Sequence, residues 1–223
     1  MKFLKIVLIS LFSIVVIIGL TILIASLIVN NKTNSTNDDY KNVYTNEKYS
    51  SAYSIDNIEV FEQKVSCGYA VIEMFAKWDN KDITEKSLFD KYNGVVTSTG
   101  GSFENEMNKQ FTNYKTTMYK YLKNTELIDK VYNSLKNGIP VPFEWAAKYK
   151  EEWTLHYSLI VGINIKEDKI KIANTYGYYE ELSLADFISR TNFTAYKSMP
   201  IFLKLGFAFG IFEKNTIFIV EHI

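Results

Sequence analysis

The sequence predicts an α+β protein carried on one transmembrane helix, and three observations predict it. Residues 6–29, "IVLISLFSIVVIIGLTILIASLIV", contain no charged side chain. From Cys67 to Gly138 the apolar residues recur at helical spacing. Beyond Gly138 they fall into short extended runs rich in β-branched and aromatic residues. Helices first and strands afterwards give segregated layers, so the sheet is expected to be mostly antiparallel.

The apolar run covers about 36 Å as a helix, enough for a hydrocarbon core of about 30 Å. A secretory signal has a shorter apolar region, roughly 7–15 residues, closed by a small-x-small cleavage site. Ala25-Ser26 is a poor version of such a site. Residues 1–30 are therefore expected to be an uncleaved membrane anchor, with a cleaved signal as the alternative. Lys2 and Lys5 precede the run, which places the N-terminus in the cytoplasm and the remainder outside. Residues 31–57 are rich in Asn, Ser, Thr and Tyr without a period, the composition of a flexible linker. Residues 58–223 are one domain's worth of chain.

Lys and Arg number 25, as do Asp and Glu, and the signs are interspersed, so no basic surface for nucleic acid is expected. A single cysteine excludes an intramolecular disulfide. The two histidines, His156 and His222, are far apart, and no Cys/His cluster has zinc spacing. No metal or other cofactor is expected.

In the helical half, Cys67, Ala70, Val71, Met74, Phe75 and Trp78 share one helix face, with Cys67 at its N-terminal end. Residues 82–93 suit a short helix capped by Thr84, and a Gly turn leads to a helix capped by Ser102. Residues 124–138 form a helix with a Leu127, Ile128, Val131 and Leu135 stripe, stopped by Gly138. "IPVPFEW", "HYSLIVGINI", "DKIKIAN" and "NTIFIVEHI" read as strands, with "SLADFISR" as one helix capped by Ser183. The closing segment "FLKLGFAFGIFEKNTIFIV" is broken by Lys204, Glu213 and Lys214, which favours a strand or hairpin over a second span.

A thiol in the first turn of a helix feels the positive end of the macrodipole, and a neighbouring imidazolium lowers its pKa further. Cys67 alone fits a buried core cysteine as well as a nucleophile. His156 opens a strand with a continuously apolar interior. Ile170, Ile172 and Asn174 alternate on one face of the next strand, which places a carboxamide inward where it needs a hydrogen-bond partner. A hairpin at "KED" would let Asn174 hold the tautomer of His156, and His156 take the proton of Cys67. Taken singly, His156 also fits a strand-end histidine, and Asn174 a turn former before "TYGYY".

The ordered blocks "Q-x3-CGYA-x3-M", "LKNGIPV", "HYSLIVGI" and "IANTYGYYEELSLADF" resemble papain-like cysteine peptidases of the bacteriocin-processing, double-glycine leader peptidase type. The resemblance covers residues 58–195 and implies a papain-like fold. It assigns Cys67 as nucleophile, His156 as base, Asn174 as its orienter and Gln63 as an oxyanion-hole donor. It implies an anchored peptidase on the outer face of a Gram-positive cell, acting on a peptide or protein substrate. Leader peptidases are often fused to ABC transporters; this chain has no GxxxxGK[ST] motif, so such a transporter is expected only as a partner. The alternatives are a peptide- or glycan-binding module on the same scaffold without turnover, or a cell-wall peptide hydrolase.

Overall fold

The computed structural model describes residues 2–34, 38–93 and 99–223. The apolar run lies within one helix, α1 (Lys2–Asn34), of which Lys5–Ile28 is long and apolar enough to cross a membrane by length and composition.

Residues 38–57 depart from the flexible linker that their composition suggests. Two 3-10 turns, Tyr40–Tyr44 and Glu47–Tyr49, lead into the short strand β1 (Tyr53–Ser54), and Val43, Tyr49 and Ile55 are buried in the main core. The polar residues there serve as caps: Asp39 accepts from the amide of Lys41, and Asn46 from that of Lys48. The tyrosines supply the apolar contacts. Tyr49 and Tyr53 both meet the Tyr132 ring edge-on at about 5 Å. Counting Asn and Ser hid a segment anchored by spaced aromatic residues.

The helical half follows the predicted stripes. α2 (Cys67–Trp78) buries Ala70, Val71, Met74 and Phe75 completely. α3 (Glu85–Lys91) has its capping box between Thr84 and Ser87. α4 (Gly100–Gln110) starts earlier than expected: Thr99 is the cap and Ser102 its reciprocal partner, so both glycines lie inside the first turn. The strand β2 (Tyr114–Tyr119) follows, unforeseen because its alternation is short and mostly polar. α5 (Asn124–Lys136) ends before Gly138, which adopts φ +76°.

The second half supplies β3 (Val141–Tyr149), β4 (Glu152–Asn164), β5 (Lys169–Asn174) and β6 (Tyr178–Leu182), then α6 (Leu184–Thr191) capped by Ser183. The closing segment forms the helix α7 (Ile201–Ala208) and then β7 (Thr216–His222): the late strand is as expected, and the helix before it is not. Seven strands form one antiparallel sheet in the order β2-β7-β3-β4-β5-β6, with β1 pairing with β4 as well. α2 packs against β4, which brings the start of the cysteine helix to the strand that carries His156.

Candidate active site

Two straps bring Cys67 to the sheet. The chain before α2 is tied to the end of β5 by a bridge between Glu62 and Tyr176 and by the Gln63 amide donating to the Thr175 carbonyl at 2.7 Å. Gly177 permits the first strap. Its φ is +90°, and a Cβ there would stand 3.1 Å from the Glu62 nitrogen. The second strap is Glu85, a buried carboxylate that accepts from the successive amides of Lys64, Val65 and Ser66 at 2.9, 2.6 and 2.5 Å. These three amides immediately precede the cysteine, so Glu85 fixes the entry of α2.

Glu85→Ala leaves those donors without an acceptor. A hydrogen bond to a charged group contributes about 1.5–3 kcal/mol, so a loss of at least about 3 kcal/mol is expected. For a domain of this size that lowers Tm by roughly 6–12 °C. Thermal unfolding of the variant measures it; a shift below about 2 °C would mean that water replaces the carboxylate.

His156 is buried, and its Nε2 lies 3.1 Å from Asn174 Oδ1 and 2.8 Å from Thr175 Oγ1. The direction of the His156–Asn174 bond follows from the partners of Asn174. Glu180, ion-paired to Arg190 at 2.7 Å, can only accept, so Asn174 presents Nδ2 to it, at 3.1 Å. Asn174 Oδ1 therefore faces the ring and also takes the Tyr176 amide at 3.0 Å. An acceptor opposite Nε2 requires the proton on Nε2, which leaves Nδ1 unprotonated. The Thr175 hydroxyl, whose Oγ1 lies in reach of Nε2–H, has two acceptors for its one proton, Gln63 Oε1 at 2.9 Å and the Tyr157 carbonyl at 3.1 Å. With Oε1 toward Thr175, the Gln63 amide –NH2 points away from the threonine. The string of bonds from Arg190 through Glu180 and Asn174 to His156 has a single sense, and Thr175 links it to Gln63.

Tyr176 covers the imidazole, with ring centroids 4.1 Å apart and planes 18° from parallel. Burial pushes the His156 pKa down to about 3, against the opposing hydrogen bond to Asn174. Cys67 is half-buried. Its thiol is nonetheless pushed up to about 11, first by burial and also by the nearby Glu144, while backbone amides of Tyr157, Gly68 and Cys67 itself pull it down. This corrects the expectation of a thiol lowered by helix dipole and imidazolium: desolvation outweighs the dipole, and the ring is neutral. The sulfur rests against the amide of Tyr157, one residue beyond His156, and no hydrogen bond joins it to the ring.

The structure thus brings together His156, Asn174 and Gln63, the last through Thr175, and seats Cys67 against the same stretch of β4. Among the described residues no three of His, Cys, Asp and Glu gather as a metal set.

A family model described as "Peptidase_C39 like family" matches residues 55–199, well over half the chain. The chain belongs to that family. It is a cysteine peptidase, and the α+β architecture is that of the papain-like fold. Among solved structures, one described as "a double glycine motif protease from AMS/PCAT transporter in complex with the leader peptide" shares the fold, with TM-score 0.51 and 12% identity. The match covers 77% of this chain and 95% of that one. No curated protein matches.

Sequence reasoning missed the peptidase's supporting residues. Glu180 had a readable signal: with a turn at Gly177, β5 and β6 pair Asn174 with Tyr178 and Ile172 with Glu180, which puts Glu180 on the face of Asn174. Thr175 had a weaker one, its place beside Asn174. Glu85 had none, since it meets amides about twenty positions earlier. Glu144 was also missed; it is fully buried on β3, with neither carboxylate oxygen hydrogen-bonded.

Proposed function

We propose that this peptidase is anchored by α1, faces away from the cytoplasm, and hydrolyses a peptide bond in a leader peptide through Cys67, His156 and Asn174. The observation that carries the reading is His156 Nε2 held by Asn174 Oδ1, on a strand whose next residue, Tyr157, meets a half-buried cysteine at a helix N-terminus. Isopeptide substrates suit the same chemistry. The double-glycine protease with its bound leader supports the substrate class, and its origin in a transporter supports an ABC transporter as partner.

In the first step His156 Nδ1 takes the Cys67 proton as sulfur attacks the scissile carbonyl carbon. The oxyanion accepts from the Cys67 amide and from the Gln63 –NH2 group. His156 then returns the proton to the leaving nitrogen, the C–N bond breaks, and a thioester remains. Water attacks the thioester with its proton going to Nδ1. Collapse of that second intermediate releases the acid and restores the thiol.

Purified full chain mixed with peptides that carry an internal Gly-Gly should give two fragments, cut after the second glycine. Mass spectrometry should also find a transient acyl adduct on Cys67, and Cys67→Ala should give neither. Fragments from the alanine variant would refute the assignment of the nucleophile. An intact enzyme that cuts other peptides but not these would refute the substrate class alone.

A further inference from the structure

α7 is apolar on both sides. Its inner face buries Leu203 and Phe207 against Phe193, Tyr196 and Ala146. Its outer side and the following turn leave Ile201, Phe202, Phe209 and Ile211 exposed at 72, 66, 46 and 51%. An apolar surface of this kind on a folded domain marks a contact, and a short helix that is apolar on both sides apart from Lys204 needs cover on both.

The position of α7 identifies the cover. The last turns of the candidate span lie beside it: Ala25 and Ile28 share one cleft with Ala208 and Phe209, and Ser26 another with Phe207 and Lys204. With the N-terminus inside, this end of α1 is where the chain leaves the hydrocarbon, so the exposed apolar side chains stand at headgroup level. Lys197 and Lys204 are exposed next to them, as suits phosphate-bearing headgroups. We propose that α7 and residues 209–211 dock into the outer leaflet of the same phospholipid bilayer that α1 crosses. The inference rests on the anchoring reading above. Its consequence reaches the site: the cluster under α7 includes Ala146 of β3 and receives Trp153 and Leu155 of β4, the residues leading to His156. The docked helix fixes the pose of the catalytic strands over the membrane, which a single flexible anchor would not do.

Cys67 is the only cysteine, so Cys67→Ser provides a cysteine-free full chain. Into it go Ile14→Cys in α1, Phe202→Cys or Ile211→Cys in the patch, and Glu167→Cys in the turn between β4 and β5, each labelled with a fluorophore. The chains are placed one per phospholipid nanodisc, so that no second copy can cover the patch. Shallow nitroxide lipids should quench the 202 and 211 probes about threefold more than the 167 probe, and deep nitroxide lipids should quench the probe at 14. Quenching at 14 with 202 and 211 behaving like 167 would overturn the docking and leave the anchor standing. Loss of quenching at 14 would overturn both.

Discussion

His156→Ala should lower kcat/KM for peptide cleavage at pH 7 by about a thousandfold or more. The size follows from the resting state of the pair. With the thiol pushed up to about 11, roughly one molecule in ten thousand carries a thiolate at pH 7. The imidazole, pushed down to about 3, is neutral there, so it stabilises no standing ion pair and must remove the proton as sulfur attacks. The variant loses that step and depends on the thiolate that solvent generates. Its residual rate should rise about tenfold per pH unit between pH 7 and 10, since the thiolate fraction does so below the thiol pKa. Alkylation of the unliganded wild-type thiol by iodoacetamide should show the same slope, because no substrate is there to draw on the base. The expected picture is a wild-type cleavage rate nearly flat across neutral pH beside a steep variant. A variant keeping a tenth of the wild-type rate, or a wild-type alkylation rate that plateaus below pH 8, would reject it.

The elements that carry the site were legible because each has a local signature. Met74, Phe75 and Trp78 give away α2, and Ile170, Ile172 and Asn174 give away the inward face of β5. The contact of His156 with Asn174 followed from one turn at "KED" and the two-residue period of the strands. What the sequence concealed depended on long-range contact or on solvation. Glu85 organises amides of a segment it meets only in the folded chain. The Cys67 pKa is decided by how completely the domain desolvates the sulfur, and a sequence position carries no measure of that. α7 was misread because "FLKLGFAFGIF" has neither a clean helical stripe nor an alternation. A helix covered on one side by protein, and on the other by a different apolar medium, would have neither.

Glu144→Gln should make the protein more stable at pH 8 while leaving it nearly unchanged at pH 4.5. The carboxyl is fully buried on β3, and neither oxygen has a hydrogen-bond partner; across the strand pair the Tyr157 hydroxyl has none either. Burial, with Glu213 nearby, pushes its pKa up to about 8 from an ordinary 4.5. The folded state therefore keeps a proton that the unfolded chain releases, and stability is lost as pH rises from about 4.5 to about 8, by about 1.4 kcal/mol per unit. The full loss is on the order of 5 kcal/mol, removed by an isosteric neutral amide. His156 acts in the opposite direction: with its pKa lowered from 6.5 to about 3, the unfolded chain takes up the proton first, and stability falls as pH drops through that range. The two slopes cancel between about pH 4.5 and 6.5, so the wild type should show a plateau there, with losses on both sides. In the glutamine variant stability should climb to about pH 6.5 and then stay level. Denaturation of the full chain in nanodiscs at pH 4.5, 6 and 8 distinguishes the two curves. Coincident curves at pH 8 would mean that the Glu144 carboxylate finds water or a partner inside the fold.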